Sequence, residues 1–186
     1  MIRPWTLEGE THLADAHIFQ LRRESWRSPK DGEAYDFSLV DSHDWVNVIA
    51  LTDAGRVVMV RQFRVGTRAV TLEIPGGGVE PGEDALAGAR RELLEETGYE
   101  AERWTSLGFV EPNPAMQNNR CYSFLAEGAR RVGEPQPDVR EDLEVEEREL
   151  GEIPALILSG EITHVLVAHA FHRLALLGHA RAQAPL

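Results

Sequence analysis

A chain of 186 residues with one cysteine, Cys121, cannot form an internal disulfide. That scarcity suits a reducing compartment, where Cys121 reads as strand filling. Basic residues are also in short supply: 19 Lys and Arg face 31 Asp and Glu, a formal charge of −12. Such a deficit argues against a nucleic-acid backbone or an anionic membrane as the main partner, because either would add like-charge repulsion. Long apolar runs are missing too. Met1-Ile2-Arg3-Pro4-Trp5 starts no signal-like segment, and the most apolar stretch, 153–177, is broken by Pro154, Gly160, Glu161 and three histidines. The expectation is a cytoplasmic protein with neither nucleic acid nor membrane as partner.

What is present is a globular composition, 42% hydrophobic, in a chain long enough to bury a core without staples. The negative charge is concentrated. Residues 77–99 carry −4 and residues 134–149 carry −6, so 39 residues hold ten of the twelve net charges. A single acidic run is ordinarily a solvated face. Two in one small domain also suit convergence on a metal ion.

Alternation at His17–Leu21 and Tyr35–Leu39, around the turn formers Ser28-Pro29-Lys30-Asp31-Gly32, predicts two strands in a β-rich extension, residues 1–42. The main domain, 43–186, opens with β-branched runs Val46–Leu51 and Val57–Phe63 joined by Thr52-Asp53-Ala54-Gly55, a hairpin signal. Val70–Ile74 is a further strand, running into Pro75-Gly76-Gly77-Gly78. From Asp84 to Thr97 the period becomes helical, with Leu86, Ala89, Leu93 and Leu94 near one stripe and Gly98 as the C-terminal cap. Strands follow at Leu107–Val110, Arg120–Ala126 and Leu143–Glu149, the last after an acidic loop opened by Glu134-Pro135-Gln136-Pro137. Helices over Ala155–Ser159 and Thr163–Leu177 complete the chain.

The chemically informative stretch is Gly77-x5-Glu83-x7-Arg91-Glu92-Leu93-Leu94-Glu95-Glu96-Thr97-Gly98-Tyr99. Glu92 and Glu96 are i and i+4 and Glu95 is i+3 from Glu92, so at least two carboxylates share a helical face. Like charges at that spacing destabilise a helix by roughly a few tenths of a kcal/mol. A hard divalent cation, Mg2+ or Mn2+, would offset that repulsion. Arg90 and Arg91 as counter-charges on a solvated helix are the alternative.

The full pattern resembles the signature of the Nudix hydrolases, G-x5-E-x7-R-E-U-x-E-E-x-G-U with U apolar, at every fixed position. That resemblance spans about residues 43–177 and implies an α/β fold, an α/β/α sandwich around a mixed sheet. It also implies Mg2+- or Mn2+-dependent hydrolysis of a nucleoside diphosphate linked to another group. Glu92, Glu95 and Glu96 would be metal ligands, with the Gly76 carbonyl as a further one, and Glu83 with Arg91 would brace the helix. Glu95 and Arg91 thus join the candidate catalytic set. The family commonly places its water-activating glutamate on the loop before the last strand, where Glu141 is the first candidate and Asp138, Asp142 and Glu144 are alternatives.

Val60-Arg61-Gln62-Phe63-Arg64 and Leu72-Glu73-Ile74-Pro75-Gly76-Gly77 resemble segments of ADP-ribose pyrophosphatases and nucleoside-diphosphate-sugar hydrolases. Arg64 becomes the candidate diphosphate contact, since a guanidinium offers paired donors, with a strand-surface ion pair as the alternative, and Arg61 is a further candidate substrate-binding residue. Glu73 is a candidate for ribose hydroxyls or for bracing the loop. Glu111-Pro112-Asn113-Pro114-Ala115 stands where such enzymes carry S-P-G, and Asn113 is a candidate sugar contact or a turn former. Trp26 and Trp45, with Tyr35, are candidates for stacking on a base. By the same resemblance the extension implies a homodimer with exchanged N-terminal strands. His164, His169 and His172 lack the i, i+4 spacing of a helical zinc site and read as surface or interface residues. The reading is a hydrolase of ADP-ribose or a related nucleotide sugar. The alternatives are a pyrophosphatase of a dinucleotide cofactor or damaged triphosphate, and a domain that binds ADP-ribose without cleaving it.

Overall fold

A computed structural model describes the backbone of residues 1–183 and the side chains through Gly178. Two compact units form, one of residues 1–44 with 111–120, the other of residues 45–110 with 121 onward.

The first unit is an antiparallel sheet of β1 (Thr6–Asp15), β2 (Phe19–Arg27) and β3 (Ala34–Ser42), in that order. The extension therefore has three strands where alternation predicts two. β1 is exposed at all ten residues, so no apolar face marks it in the sequence. Among the side chains of the three strands only Glu24 is buried. The 111–120 segment lines β3: Val40 N–H donates to the Met116 carbonyl, Ser42 N–H to Asn118 Oδ1, and Asn119 Nδ2 to the His43 carbonyl.

The second unit is a mixed sheet between helices. Its strands are β4 (Trp45–Thr52), β5 (Arg56–Arg64), β6 (Ala69–Glu73), β7 (Tyr99–Glu100), β8 (Arg103–Val110), β9 (Cys121–Arg131) and β10 (Leu143–Glu149). Its helices are α1 (Ala85–Thr97), α2 (Ile153–Ser159) and α3 (Val165–Gln183). The path is β10-β5-β4-β9-β7, with β6 on β5 and β8 on β9, and the β4–β9 pair is parallel. β8 begins four residues before the expected strand. The helix expected over 163–177 starts at Val165 and continues to Gln183.

Alternation divides the core as a two-faced sheet requires. Val46, Val48, Ala50 and Val58 pack with Ala89 and Leu93 of α1, whereas Ile49, Val57, Met59 and Leu72 pack with Ile153, Val167 and Phe171. The α/β/α sandwich is therefore present. Leu94 departs from the expected stripe: it is exposed, and Glu92 and Glu96 take the buried face instead.

β5 pairs with β4 only at Val57 and Val58, and then with β6 from Val60 to Arg64. The vacated edge of β4 is taken by the turn after β6. Val48 N–H donates to the Pro75 carbonyl and Val46 N–H to that of Gly77. This handover lays the glycine turn alongside α1.

Gly98, at φ 72°, closes α1 by donating its N–H to the Leu94 carbonyl. Its own carbonyl accepts from Val132 and Gly133, and an added Cβ would lie 2.2 Å from the Gly133 oxygen. Gly98→Ala should therefore destabilise the protein by more than about 1 kcal/mol and lower Tm by at least roughly 2–4 °C. Thermal melts check this, and an unchanged Tm would contradict the close approach.

Candidate active site

The site is built where α1 faces the glycine turn. Asp84 caps α1, its carboxylate accepting from the N–H groups of Leu86 and Ala87, which fixes where the helix begins and which face turns inward. The turn approaches its neighbours closely at two of its three glycines, while Gly78 faces open space. At Gly76 an added Cβ would stand 2.2 Å from the Val46 carbonyl oxygen, and at Gly77 2.5 Å from Glu92 Oε1.

Glu92 and Glu96 are both buried, Glu96 with only 2% of its surface exposed, while Glu95 is open to solvent. Glu96 Oε2 accepts from Gly76 N–H at 2.9 Å. Burial pushes its carboxyl up to about 8, the charges of Glu92 and Glu141 push the same way, and the Gly76 N–H opposes them. Glu92 is also raised, first by burial, against the pull of Arg91.

Arg91 holds this face together with all five of its N–H donors. Nε and Nη2 fork onto Glu83, both at 3.1 Å; Nη2 also reaches the Gly78 carbonyl at 2.8 Å; Nη1 reaches Glu92 at 2.8 Å and Glu95 at 3.0 Å. One guanidinium thus ties the loop to the helix and orients two acids. Its hydrogen bonds to the Glu83 carboxylate contribute most to holding its proton.

Arg64 and Glu73 meet across the β5–β6 pair. Nε and Nη2 of Arg64 each donate to one Glu73 oxygen at 2.8 Å, and Thr71 Oγ1 donates to Glu73 as well. Nη1 of Arg64 makes no hydrogen bond among the described residues. Burial pushes the Glu73 carboxyl up, but Arg64 and Thr71 outweigh it and hold it below the ordinary value. Arg64 feels the charges of Glu96 and Glu141, so this pair belongs to the same electrostatic neighbourhood as the box. Arg61 is engaged elsewhere, forked onto Glu146 and bonded to Glu161.

Glu141 lies in the 138–142 loop, where its N–H donates to the Asp138 carbonyl and its carboxylate accepts from Asp138 N–H. Its charge acts on Glu92, Glu96 and Arg64, and no hydrogen bond joins it to them among the described residues. Glu144 sits in β10, in register with Arg61. Trp45 is at the start of β4, bridged to Gly78. Trp26 and Asn113 belong to the first unit. There Trp26 Nε1 donates to Glu24 at 2.7 Å, and the Asn113 carbonyl accepts from Met116 and Gln117 N–H in a turn. His164 departs from its surface reading: its Nδ1 is buried without a partner, and burial lowers its pKa. Sequence reading also missed the link between α1 and the acidic loop, where Gln136 N–H donates to the Glu95 carbonyl at 2.7 Å.

The donor set fits a hard divalent cation. Two desolvated carboxylates stand next to an exposed third, and the carbonyls of Pro75 and Gly77 are taken by β4 while that of Gly76 accepts no hydrogen bond among the described residues. With Arg91 drawing on Glu92 and Glu95, no three acidic, histidine or cysteine side chains converge on one point among the described residues. No helix among them is long and apolar enough to cross a membrane.

Comparison with known proteins agrees with this geometry. Residues 41–165 match the NUDIX domain family. The chain is 34% identical over 154 residues to an ADP-ribose pyrophosphatase of Bacillus subtilis (strain 168), covering 82% of this chain and 83% of the relative. It is 32% identical over 173 residues to an ADP-ribose pyrophosphatase of Mycobacterium tuberculosis, covering 89% and 83%. In fold it is similar to a crystal structure of an ADP compounds hydrolase, with TM-score 0.86, 18% identity and 99% of both chains covered.

The Arg64–Glu73 pair gives a pH-dependent contribution. Because the folded-state pKa of Glu73 is depressed, its stabilisation is present above the unfolded value and is lost as pH falls through the folded one. Glu73→Gln should cost about 1.5–3 kcal/mol at pH 7, and that gap should narrow below about pH 4. Urea unfolding at the two pH values checks this; a gap that widens in acid would contradict it.

Proposed function

The chain belongs to the Nudix hydrolase family, and from that premise we propose that it cleaves the diphosphate of ADP-ribose or a related nucleoside diphosphate sugar. The products are a nucleoside monophosphate and a sugar phosphate, and the cofactor is Mg2+ or Mn2+. The observation that carries the reading is the pair of buried carboxylates, Glu92 and Glu96, held against a turn that leaves no room for a Cβ at Gly76 and sets Gly77 against the Glu92 carboxylate. The substrate class is supported by two relatives described as ADP-ribose pyrophosphatases, each matched over more than four-fifths of both chains.

In this reading Glu92, Glu95, Glu96 and the Gly76 carbonyl hold the cation. Bound there, a divalent ion neutralises diphosphate charge and makes water a better nucleophile at neutral pH. The protein's residues do the rest. Arg91 keeps Glu92 and Glu95 in place while itself anchored to Glu83 and Gly78. Glu73 fixes the Arg64 fork through Nε and Nη2, which leaves the Nη1 donors to bind phosphate oxygens in this reading. Glu141 accepts the proton of the attacking water. The water oxygen bonds to one phosphorus as the bridging P–O bond breaks, and the second phosphate leaves as a monoester.

A homodimer through β1–β3 is part of the same proposal. That sheet buries no apolar side chain within its own strands, and it leaves Leu7, Leu13, Phe19 and Phe37 between 37% and 45% exposed. A second copy of the chain would cover them. Trp26, Trp45 and Asn113 remain candidates for base and sugar contacts.

The test is a panel of ADP-ribose, other nucleotide sugars and dinucleotides with Mg2+, scored by phosphatase-coupled phosphate release. ADP-ribose or a nucleotide sugar should be the best substrate, and excess EDTA should abolish turnover. Turnover unaffected by EDTA would overturn the metal reading, and no turnover across the panel would favour binding without cleavage. Glu141→Gln should lower kcat by about 10²–10⁴-fold; if it is fully active while Glu144→Gln is not, the base is Glu144.

A further inference from the structure

The loop that carries Glu141 has little regular structure to fix it. Residues 138–142 form no helix or strand, and the loop's internal bonds join only Asp138, Val139 and Glu141 to one another. A carboxylate that must meet a water held at α1 needs an external reference. The only backbone bond from the 134–142 segment to α1 among the described residues is Gln136 N–H to the Glu95 carbonyl, at 2.7 Å.

This bond has unusual placement. The last carbonyls of a helix lack partners within it and must find them outside. At α1, Gly98 N–H takes the Leu94 carbonyl, and the next one, that of Glu95, is taken by Gln136. Glu95 thus faces two ways: its side chain belongs to the box and its backbone grips the loop. Pro135 and Pro137 flank the donor, and each fixes its own φ, while Pro137 also confines Gln136 to an extended conformation. The strap is buttressed one step earlier, where Val132 and Gly133 N–H reach the Gly98 carbonyl and Arg131 Nε reaches the Gly133 carbonyl at 3.2 Å. The Gln136 side chain is exposed, so the backbone N–H is the functional part.

We propose that Pro135-Gln136-Pro137 is a positioning clamp that sets the register of Glu141 against the box through the Gln136 N–H to Glu95 carbonyl bond. The proposal rests on the reading of Glu141 as base. Only three residues, 138–140, lie between clamp and base, so a slip of the clamp translates directly into a displaced carboxylate, and misplacement by about 1 Å can cost on the order of 100-fold in rate.

The experiment is steady-state kinetics with saturating Mg2+ and the best substrate of the panel, on Gln136→Pro, which removes the N–H, and Gln136→Ala, which keeps it. Gln136→Pro should lower kcat between about 10- and 100-fold with KM and Tm nearly unchanged, and Gln136→Ala should retain the wild-type kcat. In a Glu141→Gln background Gln136→Pro should add no further loss, because the clamp acts through Glu141. A wild-type kcat in Gln136→Pro, or the same fold-loss repeated in the Glu141→Gln background, overturns the clamp. If Gln136→Pro does not fold, the double variant Pro135→Gly, Pro137→Gly loosens the strap while keeping the donor. It should lower kcat without changing KM, and an unchanged kcat there overturns the proposal. Full activity in Glu141→Gln alone overturns the base assignment and the clamp with it, whereas a silent Gln136→Pro beside an inactive Glu141→Gln overturns the clamp only.

Discussion

Two carboxylates one helical turn apart, both out of water, are the constraint around which the second unit is organised. Glu96 is buried deeply enough to push its carboxyl to about 8, and Glu92 beside it is raised as well. A helix selected for stability alone would not place two carboxyl groups here, since taking them out of water costs free energy that one bond to each only partly offsets. The surrounding residues limit that cost. Arg91 spends every donor on the loop and the acids, and Gly76 N–H supplies one fixed dipole to Glu96. In the proposed function, a divalent cation would supply the charge that these groups do not.

The sheet topology explains how the turn reaches the helix. β5 leaves β4 after two paired residues, and the chain following β6 fills the vacancy, so the Pro75–Gly78 turn is hydrogen-bonded as though it were a strand. Because β4 is central and buried on both faces, that turn inherits the rigidity of the core. α1 is then fixed at both ends, by Asp84 at the start and by Gly98 with Gln136 at the finish. A site built this way fixes the helix and the turn in advance, while Glu92 and Glu95 stay paired with Arg91.

The box, its helix and its C-terminal cap were legible in the sequence because their signals are local, whereas Asp84 reads as the first helical residue and is the N-cap. Asp84, Gly98 and the spacing of the three glutamates each act within a turn or two. The hairpin Val46–Phe63 was legible for the same reason. What escaped was non-local or unpartnered. β1 carries no apolar face to detect, being exposed throughout, and β7 is two residues long. Leu94 fits a helical stripe by count, yet the buried face is claimed by Glu92 and Glu96, a placement that stability alone would not choose. The pairing of Arg64 with Glu73 depends on the β5–β6 register, and the grip of Gln136 on Glu95 depends on backbone groups that no side-chain pattern reports.

The account stands on the claim that the buried acids of α1 exist to hold a divalent cation. Direct measurement of Mn2+ binding by electron paramagnetic resonance, in the absence of substrate, tests it without reference to turnover. The wild-type chain should deplete free Mn2+ at micromolar to millimolar concentrations, and Glu92→Gln and Glu96→Gln, both folded, should each weaken that binding at least about tenfold. Binding of equal strength in all three proteins, or none in the wild type, would contradict it.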